Sequence, residues 1–159
     1  MNKKVFIYSD KIKSGKTTKL FQWMTKQNSI GGILQPVVEE RRFFYSIIDK
    51  KLIQLEITKD QSKNFSENEL IKIGNYFFLR SGFEKAKEIL RRDFNNKPEF
   101  LIVDEIGPLE LEGNGLEPIV SEILDDIGNF EGKLILVIRD KILVDAVKKY
   151  NLEEKFEIW

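Results

Sequence analysis

Residues 5–18, VFIYSDKIKSGKTT, decide the fold because they join an apolar run to a polar loop and the start of a helix. The run at 5–8 is short, mostly β-favouring and bounded by polar residues, which indicates a buried strand. The apolar residues between 17 and 27 fall at the spacing of one helix face. These features predict a strand, a loop that contains one glycine, and a helix, in that order.

The second half of the chain alternates in the same way. We predict strands at 100–103 and 134–138, each from a run of β-favouring apolar residues. Helices are expected to begin near Ser81, Pro118 and Asp140. Continuous apolar strands that alternate with amphipathic helices are typical of a parallel sheet covered on both faces. The predicted fold class is therefore α/β, with a mostly parallel sheet flanked by helices.

The middle of the chain breaks this alternation. Two β-rich runs at 43–48 and 52–57 flank a polar turn and predict a hairpin. Residues 59–69 are polar and predict a loop, and 75–79 is a further strand candidate. We interpret the region as an antiparallel insertion or an extension of the sheet. Because the sequence contains no repeat or linker, residues 1–159 are expected to form a single domain.

Composition limits the chemistry that is available. The chain has 159 residues, with 26 Lys and Arg against 26 Asp and Glu, and it has neither Cys nor His. This excludes thiolate nucleophiles, imidazole bases and Cys- or His-ligated metals, and it leaves carboxylates, Lys, Arg, hydroxyls and an oxygen-bound metal. A net charge of zero predicts no nucleic-acid partner. No segment approaches the ~20 apolar residues of a membrane span, so we expect a cytoplasmic protein without a membrane partner. The oligomeric state stays open.

The loop after the first strand has the residue types of a phosphate-binding site. Gly15 allows backbone amides to approach a ligand, Lys16 is placed to reach the β- and γ-phosphates, and the Thr17 hydroxyl suits Mg²⁺. The following helix N-terminus adds further amides and the positive end of a dipole. A nucleoside triphosphate is the predicted partner. The predicted nucleotide-binding residues are Asp10, Lys11, Ile12, Lys13, Ser14, Gly15, Lys16, Thr17 and Thr18.

A second polar pair, Asp104 and Glu105, follows the strand at 100–103. Ligands of open α/β sheets bind outside the carboxyl ends of the strands, so this pair is expected beside the loop. Asp104 is placed to hold the Mg²⁺ shell together with Thr17, and Glu105 to orient or deprotonate an attacking water.

Arginines near other strand ends are further candidates. Arg139 follows the late strand and is placed to stabilise charge on a transferring phosphoryl group, which makes it a candidate catalytic residue. Arg80 is a weaker candidate of the same kind. Arg41 and Arg42 precede the hairpin; phosphate, a partner and solvent are the alternatives for them, and solvent is favoured.

The segment DEIGPLEL, residues 104–111, is a longer signature, and together with SGKTT it resembles the THEP-type family of small P-loop nucleoside triphosphatases. Looser similarities at 30–57 and 73–86 extend the resemblance over nearly the whole chain. The resemblance implies an ASCE-type (RecA-like) P-loop core, with a catalytic Glu beside the Walker B Asp. It also implies Mg²⁺-dependent hydrolysis of nucleoside triphosphates to diphosphate and phosphate, with broad base tolerance. Its central residues would be Lys16, Thr17, Asp104 and Glu105.

Two positions depart from the family pattern, because Asp10 and Lys13 stand where the family has glycines. A carboxylate near a triphosphate is repulsive by ~1 kcal/mol or more, and the Lys adds bulk where the backbone needs to be slim. Three functions therefore stay open: a hydrolase in which Lys16 and Arg139 stabilise the developing charge, a nucleoside or nucleotide kinase, and a nucleotide-binding module with weak or no catalysis. Kinases usually carry an Arg-rich lid, whereas a single Arg follows Glu105 here, which favours the hydrolase.

Overall fold

The computed structural model describes residues 3–10 and 15–159, which form eleven strands and six α-helices. The strands are β1 (Val5–Asp10), β2 (Ile30–Leu34), β3 (Val37–Val38), β4 (Arg41–Ser46), β5 (Lys51–Gln54), β6 (Glu56–Ile57), β7 (Leu70–Ile73), β8 (Tyr76–Leu79), β9 (Phe100–Ile106), β10 (Lys133–Arg139) and β11 (Phe156–Ile158). The helices are α1 (Lys16–Met24), α2 (Lys59–Ser62), α3 (Arg80–Asn95), α4 (Pro108–Leu111), α5 (Ile119–Asp125) and α6 (Leu143–Lys149). The described residues include no helix that is both long and apolar enough to cross a bilayer.

The main sheet has eight strands in the order β11-β1-β10-β9-β2-β4-β3, with β5 paired to β4. The five strands from β11 to β2 run parallel, which confirms the predicted mostly parallel sheet. The strand β4 joins β2 in the antiparallel direction and pairs with β5, so the hairpin extends the main sheet.

The middle of the chain differs from the prediction in two places. The run at 52–57 is divided, because β5 ends at Gln54 and β6 belongs to a second, antiparallel sheet of order β6-β8-β7. The polar stretch at 59–69 contains the short helix α2 and a 3₁₀ turn at Glu67–Glu69. The helix begins at a capping box formed by Thr58 and Gln61, which supplies hydrogen bonds in a segment with little apolar surface to bury.

Side chains of β9 alternate between two cores, one on each face of the sheet. Leu101 and Val103 lie in the larger core, which α3, α5 and α6 cover, whereas Ile102 lies in the smaller core with Leu20 of α1. All four are at most 1% exposed. A strand that is buried on both faces needs apolar residues at consecutive positions, which explains the continuous run in the sequence.

A glycine and a buried acid fix β2 between β9 and α3. A Cβ atom at Gly32, whose φ is +103°, would lie 2.0 Å from the carbonyl oxygen of Ile102, so a side chain has no room there. The backbone N–H of Gly32 donates a hydrogen bond to Asp93 of α3 (2.8 Å), and the Arg92 guanidinium donates to the other oxygen of that carboxylate (2.8 Å). The middle of β2 is thereby held against β9 and α3.

Candidate functional site

The N-terminus of α1 follows β1, where the phosphate-binding loop is predicted. Gly15 caps the helix in a left-handed conformation, with φ +83° and ψ +23°, which glycine adopts without a steric penalty. The predicted residues Lys11, Ile12, Lys13 and Ser14, and the side chains of Asp10 and Lys16, lie outside the described part of the chain. Their predicted roles stay predictions.

Thr17 and Asp104 join the start of α1 to the end of β9. The Thr17 hydroxyl donates a hydrogen bond to Asp104 Oδ2 (3.0 Å), and the backbone N–H of Gln35 donates to the same oxygen (2.9 Å). Asp104 is 1% exposed. The fold thus brings together two residues that lie 87 positions apart in the sequence and that we predicted to share an ion. Thr18, next to Thr17, is exposed.

The chemistry of this pair fits a small, hard cation. A threonine hydroxyl and a carboxylate are oxygen donors, and Mg²⁺ in phosphoryl-transfer sites commonly takes one or two such protein ligands while phosphates and water supply the rest. Thr17 and Asp104 are therefore the residues that could hold the ion next to a bound triphosphate.

A β-bulge sets the direction of Glu105. The residues of β9 that pair with consecutive residues of β10 are Asp104 and Ile106, so Glu105 is the extra residue in the ladder, and a bulge of this kind re-aims a side chain. The Glu105 carboxylate forms an ion pair with the Nε of Arg139, at the end of β10. Because β10 lies between β1 and β9, this pair stands at the same sheet edge as the Thr17–Asp104 contact.

A cleft, here named the Arg42 cleft, opens beside Glu105. Its cavity volume is about 50 Å³, and the cleft is open to solvent. Its polar residues come from five elements or their ends, and they are Gln35, Arg42, Glu105, Glu110 and Arg139. Sequence reasoning did not predict that Gln35 or Arg42 lines this cleft, because a place in it depends on how the hairpin pairs with β2.

The other arginine predictions have different outcomes. Arg41, for which solvent is favoured, instead lies 3.9 Å from the carboxylate of buried Glu56, whereas Arg42 lines the cleft, which is open to solvent. Arg80 is not brought to Glu105; it lines a separate cleft together with Lys87.

The side chain of Glu110 ties together the backbone of the segment that follows Glu105. Glu110 Oε1 accepts a hydrogen bond from the N–H of Gly107 (3.0 Å), and Glu110 Oε2 accepts one from the N–H of Leu116 (3.3 Å). The side chain is 4% exposed. The pKa of Glu110 is raised to about 8, mainly by burial; the two backbone hydrogen bonds oppose this shift, and the Glu105 and Glu117 carboxylates add to it. The signature residue Glu110 thus has a structural role beside the candidate base.

The strand order, the glycine-capped α1 and the Thr17–Asp104 contact define a protein of the P-loop NTPase class. A model of the NTPase_1 family, described as NTPase, matches residues 5–159. The chain therefore belongs to this family, which confirms the predicted family and the predicted class of enzyme, a nucleoside triphosphatase.

Known proteins are similar to the chain over most of its length. Nucleoside-triphosphatase THEP1 of Saccharolobus solfataricus is 29% identical over 133 residues, which cover 78% of this chain and 69% of that protein. The crystal structure of THEP1 from the hyperthermophile Aquifex aeolicus superposes with a TM-score of 0.74 at 20% identity, and the match covers 97% of this chain and 87% of that chain. The structural match confirms the P-loop NTPase fold.

Proposed function

We propose that this chain hydrolyses nucleoside triphosphates to diphosphate and phosphate, that it requires Mg²⁺, and that it discriminates little between bases. The observation that carries the proposal is the Thr17–Asp104 hydrogen bond with Glu105 as the next residue of β9. The hydroxyl of Thr17 in the first turn of α1 and the carboxylates of Asp104 and Glu105 lie at one sheet edge, which supports a metal-binding pair beside a base. The similar protein named nucleoside-triphosphatase THEP1 supports the same reaction. We also infer that residues 1–159 act as one domain.

The triphosphate binds, in this proposal, across the loop between β1 and α1. The residues that hold it are Asp10, Lys11, Ile12, Lys13, Ser14, Gly15, Lys16, Thr17 and Thr18. The amides at the start of α1 and the Lys16 ammonium attract the phosphate oxygens, and Lys16 also stabilises the charge that develops on the transferred group. Thr17 and Asp104 would hold Mg²⁺, which when bound neutralises charge on the β- and γ-phosphates.

Glu105 acts as the base in this proposal. Its carboxylate accepts a proton from the water that attacks the γ-phosphorus, and the bond from that phosphorus to the bridging oxygen breaks. Arg139 holds the carboxylate in position through its Nε. A guanidinium has five N–H donors, so the same side chain has further donors for an oxygen of the transferred phosphoryl group.

A phosphate-release assay tests the proposal. We expect the wild type to release phosphate from ATP, GTP, CTP and UTP at similar rates with Mg²⁺ and not with EDTA. Lys16→Ala should lower the rate at least 100-fold, as expected for loss of an electrostatic contact to the transition state, whereas Lys19→Ala on the exposed side of α1 should not. Glu105→Gln should abolish release and retain nucleotide binding. Turnover that survives Glu105→Gln would overturn the assignment of the base.

A further inference from the structure

The three arginines near the candidate base differ in their partners. Arg139 forms an ion pair with Glu105, and Arg41 lies within ion-pair distance of Glu56. Arg42 lines the same cleft as Glu105, and among the side chains that the structure describes, no carboxylate lies within ion-pair distance of its guanidinium. Arg42 therefore brings to the catalytic cleft a positive charge that no described carboxylate neutralises.

The backbone around Arg42 is tied to the end of β9. The N–H of Gln35 donates a hydrogen bond to the Asp104 carboxylate (2.9 Å). The carbonyl oxygen of the next residue, Pro36, accepts a hydrogen bond from the N–H of Phe43 (2.9 Å). Arg42 directly precedes Phe43, so these two hydrogen bonds fix its position relative to the candidate metal-binding carboxylate.

The side chain of Arg42 lies on the face of β4 that packs against the larger core. Successive residues of a strand point to opposite faces, and Phe44, two positions further along β4, is 0% exposed in that core. The cleft that Arg42 lines is also lined by Leu55, Phe78 and Phe83. An arginine commonly packs its apolar stem along such a surface and keeps its guanidinium in a polar environment, which here is the polar part of the catalytic cleft.

The strand order limits which phosphate group Arg42 can reach. The predicted phosphate loop follows β1, and β4 lies four strand positions from β1, after β10, β9 and β2. At about 4.8 Å per position, the two backbones are roughly 19 Å apart, which is too far for one arginine side chain to span. Glu105 belongs to β9, only two positions from β4. Arg42 is therefore placed for a phosphate group next to Glu105 and not for those that the loop would hold.

We propose that Arg42 binds the terminal, γ-phosphoryl group of the nucleoside triphosphate and thereby discriminates triphosphates from diphosphates. This inference rests on the proposed function, in which Glu105 faces the water that attacks the γ-phosphorus. The guanidinium donates charge-assisted hydrogen bonds to oxygens of the γ-phosphate. A nucleoside diphosphate has no group at this position, so the affinity for the product of hydrolysis gains nothing from Arg42.

Isothermal titration calorimetry with ADP and with the β,γ-imido analogue of ATP, each with Mg²⁺, tests this proposal without turnover. We expect Arg42→Gln to weaken binding of the analogue about tenfold, from the loss of a charge-assisted hydrogen bond, and to change ADP binding less than about twofold. Retained ADP binding also shows that the variant is folded. The matched control is Arg41→Gln, which removes the same charge from the neighbouring residue of β4 and should leave the binding of both nucleotides unchanged.

The outcomes distinguish this proposal from the proposed function. Weakening by Arg42→Gln that is confined to the analogue supports the role of Arg42, and a wild type that then releases no phosphate contradicts the hydrolysis alone. Equal weakening of the analogue and ADP overturns the proposal, because the charge would act on the whole nucleotide, and so does unchanged binding of both. The same selective loss in Arg41→Gln would also overturn it, since any charge on the strand would suffice. A wild type that binds neither nucleotide overturns both proposals.

Discussion

At the scale of single residues, the Thr17 hydroxyl has two uses. In the structure it donates a hydrogen bond to Asp104, and in the proposed complex its oxygen would be a ligand of Mg²⁺. We expect Thr17→Ala to raise the Mg²⁺ concentration for half-maximal phosphate release about tenfold, because one oxygen ligand is lost. Thr17→Ser should restore the wild-type value, and Thr18→Ala should leave it unchanged. A normal Mg²⁺ dependence in Thr17→Ala would contradict the assigned ligand.

Arg139 acts on Glu105 through their ion pair, so its removal should affect the chemical step more than substrate binding. We expect Arg139→Ala to lower kcat about tenfold to a hundredfold with KM changed less than threefold. Arg139→Lys should recover part of the loss, because it keeps a positive charge but loses the fork of donors. Steady-state kinetics measure both constants, with Arg91→Ala as the control. If KM rises and kcat does not fall, Arg139 contributes to ground-state binding instead.

The residues at the strand ends could be predicted because their positions follow from the alternation of strands and helices. Thr17 and Asp104 meet since the carboxyl ends of parallel strands share one sheet edge. The bulge at Glu105 and the place of Arg42 could not be predicted. Both depend on which residues of neighbouring strands pair with each other. The order of strands and helices in the sequence does not specify that pairing to the residue.

At the scale of secondary-structure elements, the close approach of β2 and β9 depends on Gly32. An Ala at this position would meet the Ile102 carbonyl at 2.0 Å and would hold an unfavourable φ of +103°. We expect Gly32→Ala to lower the free energy of unfolding by about 3 kcal/mol or more. Gly128→Ala, where no atom lies within 4 Å of the added Cβ, should change it by less than about 0.5 kcal/mol. Urea unfolding measures both variants, and equal effects would contradict the tight β2–β9 contact.

The ends of the helices show where local sequence signals are overridden. Ser81 and Glu84 predict a capping box, but α3 begins at Arg80 and has no side-chain cap. A Cβ atom at Gly82 would lie 2.6 Å from the carbonyl oxygen of Gln54, so the first turn of α3 packs directly on the backbone at the end of β5. This tertiary contact, which no local pattern records, determines where the helix starts. The longer strands and helices were predictable from periodicity, whereas their ends and the short helix α2 were not.

At the scale of the whole molecule, the buried carboxylate of Glu110 couples stability to pH. In an unfolded chain the pKa of a Glu is near 4.5, and in the fold that of Glu110 is about 8, mainly because of burial. Below pH 4.5 both states hold the proton, so this group adds no pH dependence there. Between pH 4.5 and 8 the unfolded chain releases the proton while the folded chain keeps it, and stability therefore falls as the pH rises.

Glu110→Gln isolates this contribution. Between pH 5 and 8 the unfolded wild type binds one proton fewer than the folded wild type, so its free energy of unfolding falls by about 1.4 kcal/mol per pH unit. The Gln side chain cannot ionise, so the variant should lack this slope. At pH 5 the variant should be less stable than the wild type by about 1–3 kcal/mol. Its NH₂ group replaces a carboxyl oxygen that accepts a hydrogen bond from a backbone N–H, and that hydrogen bond is lost. The two stability curves should therefore cross between about pH 6 and pH 7. Urea unfolding at pH 5, 6.5 and 8 measures them, with exposed Glu112→Gln as the control that follows the wild type. Parallel curves for wild type and Glu110→Gln would mean that Glu110 ionises with an ordinary pKa and that the loop after Glu105 is held by a charged carboxylate.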